Sequence, residues 1–168
     1  YPRAQAALFM TLPLQDLQRW EEAEAHAQVA DALALEHGLR LLRGPALTAI
    51  GGVRRARGDL VGAEAAYREA AREFARCGHA HTVLAELNVA YCLHLQDRAE
   101  DAHAILVQWE HAPARRQAHA LSAFYEVLAT AVAAAQGMWS ACADRLGAAE
   151  TLCRKTNTWE VDFAVLVA

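Results

Sequence analysis

Residues 58–78 read GDLVGAEAAYREAAREFARCG, and the architecture of the whole chain can be worked out from this stretch. Gly58 and Asp59 form a turn signal, and a helical pattern follows directly. From Leu60 the apolar and small positions are Leu60, Ala63, Tyr67, Ala70 and Phe74, at steps of 3, 4, 3 and 4. Those steps keep one face of an α-helix apolar. Glu64, Arg68, Glu69, Arg72 and Glu73 fill the remainder as a solvated face that includes the i,i+4 charge pair Glu64 and Arg68. Gly78 is placed to end the helix, because glycine accepts the left-handed conformation without a Cβ clash.

The same steps recur upstream as Trp20, Ala23, Ala27, Ala30 and Ala34. They recur downstream as Ala99, Ala102, Leu106 and Trp109, and again as Trp139, Cys142, Leu146, Ala149 and Cys153. The small residue at the second step lies at 23, 63, 102 and 142, so the separations are 40, 39 and 40 by subtraction. Gly38, Gly78 and Asn157 stand eighteen residues after Trp20, Leu60 and Trp139 as matching stops. In the third unit Pro113 is expected to end the helix early, and Asp97-x-x-Glu100 has the reciprocal capping pattern at its start.

A partner helix is expected before each of these. Twelve residues ahead of 23, 63, 102 and 142 sit Thr11, Gly51, Ala90 and Thr130, all small. Each could make a close contact opposite the small residue of its partner, forming an αα-hairpin. The chain therefore reads as an all-α solenoid of four tandem antiparallel hairpins, roughly 4–38, 44–78, 80–112 and 114–156, with a partial ninth helix over 158–168. No strand signal competes, because β-branched residues never alternate usefully with polar ones. Pro13 falls inside the first helix, where a kink or break would shorten the first hairpin.

Bulk composition agrees. A chain of 168 residues buries roughly 70% of its unfolded surface, so neither metal nor disulfide is needed to hold it. Alanine, the best helix former, makes up about a quarter of the sequence. The net charge of −4 exerts no global pull on nucleic acid. Lys155 is the lone lysine among 16 basic residues, which with the alanine content suggests a GC-rich bacterial genome. Cys77, Cys92, Cys142 and Cys153 lack C-x-x-C spacing and read as reduced thiols of a cytoplasmic protein. No apolar run reaches the ~18 residues of a membrane span, and no signal segment opens the chain. Starting at Tyr1 and ending in the apolar run 161–168, the sequence is expected to be a piece of a longer protein. That run needs either further repeats or self-association to cover it.

Gly51, Gly58-Asp59-Leu60, Ala63, Tyr67 and Ala70 closely resemble the tetratricopeptide repeat. Its pattern has a small residue in the first helix, a Gly-Asp/Asn turn, then Ala, an aromatic and Ala in the second. The other units are similar more loosely, through Thr11/Trp20/Ala23/Ala30, Ala90/Ala102 and Thr130/Gly137/Trp139/Ala149. The period is near forty rather than 34, the early Trp is replaced by Ala7, Leu47, Glu86 and Glu126, and the closing Pro is absent. Such long units resemble those of kinesin light chains and of bacterial signalling proteins, whose arrays adjoin ATPase, kinase or DNA-binding domains. The resemblance implies a non-catalytic protein- or peptide-binding scaffold, or alternatively the regulatory or sensor arm of a multidomain signalling protein. Its spacing places Thr48, Arg55, Leu84, Leu87, Asn88, Tyr91, His94, Phe124, Val127 and Ala131 on the concave face, with Leu8 and Gln15 as first-unit equivalents. The bland reading is that several of these simply pack between helices. The Lys/Arg/Asn set that grips a C-terminal carboxylate in some members is not reproduced by Arg55 and Asn88.

Other candidate sites are thin. Arg40, Arg43, Arg54, Arg55 and Arg57 could meet an acidic peptide or phosphate, but Glu21, Glu22, Glu24 and Glu36 could balance them as a solvated face. Cys77-x-His79-x-His81 is the one metal-like cluster, with Cys92 a possible neighbour, yet zinc normally takes four ligands, so no metal or other cofactor is expected. His94 stands apart from His103, His111 and His119, which are expected on the surface. Ser122 and Ser140 are the only serines and neither sits in G-x-S-x-G. Gly51-Gly52 lacks phosphate-loop spacing. Trp20, Trp109 and Trp139 are expected in the core.

Overall fold

The computed structural model describes residues 2–111 and 119–156, all of whose regular elements are α-helices. They are α1 (Pro2–Asp16), α2 (Trp20–Glu36), α3 (Arg40–Ala56), α4 (Leu60–Arg76), α5 (His81–Leu95), α6 (Ala99–Trp109), α7 (His119–Ala135) and α8 (Trp139–Thr156). The chain divides into two compact units, Tyr1–Cys92 and Leu93–Ala168. In the first, α1 packs on α2, α2 on α3, α3 on α4, and α1 also on α3. In the second, α6 packs on α7 and α7 on α8. Sequential packing of this kind is consistent with an α-α helical repeat array. No helix among the described residues is long and apolar enough to cross a membrane.

The connections share one design. In each of the six connections described in full, a single residue takes a left-handed backbone: Gln18 (φ 57°), Gly38 (64°), Gly58 (83°), Gly78 (61°), Asp97 (60°) and Gly137 (71°). The N–H of the following residue donates to a carbonyl five residues back, as Arg19 to Leu14, Leu39 to Ala34, Asp59 to Arg54, His79 to Phe74, Arg98 to Leu93 and Met138 to Ala133, at 2.7–2.9 Å. This bond satisfies a carbonyl left over at the helix end and turns the chain back at once. The four turns inside the hairpins sit at 18, 58, 97 and 137, which differ by 40, 39 and 40. The period read from the small residues is therefore the period of the turns.

Two of the six turns lack glycine. An L-residue with a Cβ pays roughly 1–2 kcal/mol in this backbone region. Gln18→Gly is therefore expected to raise stability by about 1 kcal/mol, some of the relief being offset by the greater freedom of glycine in the unfolded chain. A urea-unfolding midpoint that stays put or falls would contradict the strain assigned to Gln18.

Asp97 corrects an expectation. It does not cap α6, because it occupies the left-handed position and Arg98 is the N-cap, with no side-chain capping bond. Asp59 does cap its helix, accepting from the Gly62 N–H at 2.8 Å. Pro13 is a second correction: α1 runs unbroken through it to Asp16. Pro13 has no N–H to give the Phe9 carbonyl one turn back, so α1 continues past it with that one bond missing. Pro45 is likewise held inside α3.

The first unit's core is built from the faces that the periodicity marked. Ala27, Leu47, Ile50, Ala66, Ala70, Ala71, Phe74 and Ala85 form one cluster, and Leu14, Ala23 and Val53 another, with Trp20 packed against it. Between α3 and α4 the nearest approach at two glycines, Gly51 among them, is glycine against ring. A Cβ on Gly51 would lie 2.9 Å from the Tyr67 ring, and one on Gly44 would lie 2.6 Å from the Phe74 ring. Both glycines and both aromatics are seven residues apart, so an antiparallel pair of helices registers them two turns apart.

The second unit keeps the expected contact elsewhere: the Cys142 thiol donates to the Thr130 carbonyl at 3.4 Å. Arg145 of α8 bridges Glu110 and Glu126 at 2.7 and 3.1 Å and lies over the Tyr125 ring. The apolar face assigned to α8 is only partly buried. Ala149 and Cys153 are covered, whereas Trp139 is 70% and Leu146 50% exposed, so Trp139 is not a core residue. Trp109 is half-buried. Pro113, Asn157 and the partial helix over 158–168 lie outside the described residues.

Candidate functional site

Within Tyr1–Cys92 the helices α1, α3 and α5 line a groove of about 490 Å³. Leu8, Phe9, Thr11, Leu12 and Gln15 come from α1, Pro45, Thr48, Ala49 and Gly52 from α3, and His81, Leu84, Ala85 and Asn88 from α5. Tyr67 and Phe74 of α4 also reach it. They can do so because Gly44 and Gly51 leave no side chain between the α4 rings and the α3 backbone. No lining residue is an Asp, Glu, Lys or Arg, in a chain where charged residues make up 21%.

The polar groups of the groove are few and mostly anchored. The Thr48 hydroxyl donates to the Gly44 carbonyl at 2.9 Å, and the Asn88 amide to the Leu84 carbonyl at 2.9 Å. Both bonds go back one turn along the same helix and hold the side chains against it. Thr11, otherwise a buried polar residue, donates to the Leu8 carbonyl at 2.6 Å. The Asn88 carbonyl oxygen is not used in that bond and is chemically able to accept from a ligand. Phe9 and Leu12, by contrast, stand 72% and 66% exposed.

Arg55 and Tyr91 sit beside this groove, on the same two helices as Gly52 and Asn88. The Arg55 guanidinium carbon lies 5.0 Å from the centre of the Tyr91 ring. Burial pushes the Tyr67 hydroxyl above the usual tyrosine range, and the Arg55 guanidinium pulls the other way. Burial also pushes the Cys92 thiol up to about 11, which makes it a poor nucleophile at neutral pH.

The residues expected on a concave face thus have different fates. Thr48, Leu84, Asn88, Leu8 and Gln15 line the groove together. Arg55 is half-buried against Tyr91, and Tyr91 itself is covered. Leu87 is fully buried, so it is a packing residue rather than a contact for a ligand. His94, Phe124, Val127 and Ala131 belong to the second unit. There Val127 is 1% exposed and Ala131 is buried, which corrects their placement on an open face, while Phe124 is half-buried. His94 is half-buried, burial lowers its pKa, and its Nδ1 has no partner among the described residues. His103, His111 and His119 are exposed.

Sequence reasoning missed Phe9, Leu12, Thr11, Pro45, Ala49, Gly52, Tyr67, Phe74, His81 and Ala85 as groove residues. One signal was available for the first two. On α1 the buried positions Ala4, Ala7, Thr11 and Leu14 already complete a helical face, so Phe9 and Leu12 are apolar residues beyond what the core requires. The glycines at seven-residue spacing opposite aromatics at the same spacing were a second.

The remaining candidates resolve into pairing and stacking. Arg43 bonds Asp31, Glu69 and Glu73, and Arg54 and Arg57 both bond Glu24. Glu22 pairs instead with Arg19. Cys77, His79 and His81 are exposed, and the two imidazoles stack at 4.6 Å with Phe74 close to both. Burial and the neighbouring His79 lower the His81 pKa. Among the described residues no three His, Cys, Asp or Glu side chains are grouped to hold a metal.

No family model matches the chain, and neither a curated protein nor a solved structure matches it.

Proposed function

We propose that the chain is a non-catalytic, tetratricopeptide-like scaffold that binds a protein or peptide segment in the groove of α1, α3 and α5. The observation that carries this reading is the groove's uncharged, largely apolar lining with Phe9 and Leu12 left open to water on its wall. Contiguous apolar surface of this kind is costly to expose, and on soluble proteins it commonly marks an interaction site. Its volume falls within the ~300–1,000 Å³ of ordinary ligand sites. Apolar anchors at helical spacing and a few fixed polar groups suit a peptide side-chain row. The repeat period and the shared turn design add the support of the family resemblance.

A peptide-array screen on the wild-type chain tests it, followed by Leu84→Glu, Ala49→Arg and, as an outer-face control, Val61→Glu. A charge placed in the groove would have to be desolvated by the ligand, so both groove variants are expected to lose at least about tenfold in affinity. Val61→Glu is expected to bind as wild type, because Val61 is exposed and does not line the groove. Peptides that bind all four proteins equally would remove the groove from the reading.

A further inference from the structure

The residue rows that line the groove continue beyond Gly52 on α3 and Asn88 on α5. Three residues on, at the spacing of one helical turn, stand Arg55 and Tyr91. The guanidinium carbon of Arg55 lies 5.0 Å from the centre of the Tyr91 ring. Arg43, Arg54 and Arg57, on or next to the same helix, each pair with at least one carboxylate. Arg55 pairs with no carboxylate among the described residues, and its Nε is buried without an acceptor. Its neighbours are the Tyr67, Tyr91 and Cys92 side chains, whose neutral groups offer it no negative charge at neutral pH. A ring face attracts a cation but cannot serve as the planar acceptor that a guanidinium's N–H edge matches best. Half-buried cations normally have such an acceptor, because leaving their donors unmet costs free energy.

The groove supplies the complementary half. Its lining is uncharged, so it favours apolar side chains and penalises a charge along its length. The cation beside it that lacks a carboxylate among the described residues is Arg55. We propose that the groove takes a peptide segment with large apolar side chains followed, about one turn further along, by a side-chain carboxylate that pairs with Arg55. This rests on the groove reading above and narrows it to an apolar segment with one acidic residue at a set distance.

The test uses short acetylated and amidated peptides, with two large apolar residues at i and i+4 and Glu, Gln or Lys at i+7. Affinities are measured by fluorescence anisotropy on wild type, Arg55→Gln, Arg55→Lys and Leu84→Glu. Wild type is expected to prefer Glu over Gln by about tenfold, the worth of a charge-assisted hydrogen bond, with Lys weakest. Arg55→Gln should erase that preference, and Arg55→Lys should keep part of it, the charge without the planar fork. An equal Glu-to-Gln ratio on wild type and Arg55→Gln overturns the proposal. Circular dichroism checks that Arg55→Gln folds, and if it does not, the ratio on wild type and Arg55→Lys decides: no Glu preference on either overturns the proposal. Binding that needs Leu84 yet ignores the acid sinks the carboxylate alone. Binding that persists in Leu84→Glu sinks the groove reading and the proposal with it.

Discussion

Replacing Arg43 with methionine is expected to destabilise the first unit by about 3 kcal/mol, a shift of roughly 1–2 M in a urea midpoint. Arg43 of α3 reaches Asp31 of α2 at 3.2 Å, and Glu69 and Glu73 of α4 at 3.2 and 2.6 Å. The magnitude comes from Glu73, which is 3% exposed. Without Arg43 that carboxylate keeps, among the described residues, only Arg76, whose own side chain is 58% exposed and well screened. A buried charge that loses a close partner costs several kcal/mol, and the surviving Arg76 contact places this case at the low end. The converse change should be mild. Glu73→Leu leaves Arg43 with Asp31 and Glu69, so it is expected to cost about 1 kcal/mol or less. In Arg43→Met/Glu73→Leu most of the loss should return, because no buried charge remains. A double variant as unstable as Arg43→Met alone would show that the packing of the arginine stem, and not the stranded carboxylate, sets the cost.

Alanine at Gly44 or Gly51 is expected to destabilise by about 2 kcal/mol, although glycine to alanine inside a helix ordinarily gains close to 1 kcal/mol. Two effects oppose each other here. Alanine restricts the unfolded chain and favours the helix. The new methyl would stand 2.9 Å from the Tyr67 ring at position 51, or 2.6 Å from the Phe74 ring at position 44. Both rings are buried, so neither can swing away without opening the α3–α4 contact. Overpacking of this kind costs about 1–3 kcal/mol and outweighs the propensity gain. At Gly44 the following Pro45 adds a clash with any Cβ held in helical conformation, which makes that site the more sensitive. Gly147 is the matched control. It lies inside α8, and a Cβ added there would meet nothing within 4 Å, so Gly147→Ala should stabilise by about 1 kcal/mol. Thermal unfolding of the three variants by circular dichroism reads the sign directly. If all three stabilise, the ring-over-glycine packing is wrong.

Much of the architecture is written in local pattern. The turn Gly58-Asp59 and the steps from Leu60 to Phe74 specify α4 to the residue, since both helix face and left-handed stop depend on a few neighbouring positions. Where glycine is absent, local reading falters: Gln18 and Asp97 take the same backbone as Gly58 because the packed helices on either side require a turn there. Asp97 looked like a cap because its sequence neighbours fit one, and only the geometry of the bond from Arg98 to Leu93 reassigns it. Trp139 fits a helical stripe, yet a stripe is buried only if another element covers it, and 70% of this residue stays open.

The candidate site divides the same way. The all-helical character and the hairpin period near forty residues are legible in the residues alone, whereas the common face of Thr48, Leu84 and Asn88 came from the resemblance to the tetratricopeptide repeat. Helix and period follow from backbone periodicity and turn chemistry, which act within a few residues. Which positions on that face remain open was left to the packed fold. It buried Leu87, Tyr91 and Val127, brought Tyr67 and Phe74 of α4 through two glycines to the groove, and left Phe9 and Leu12 uncovered. Burial is a property of what packs against a residue from elsewhere in the chain, and no spacing along one helix encodes the shape of its neighbours.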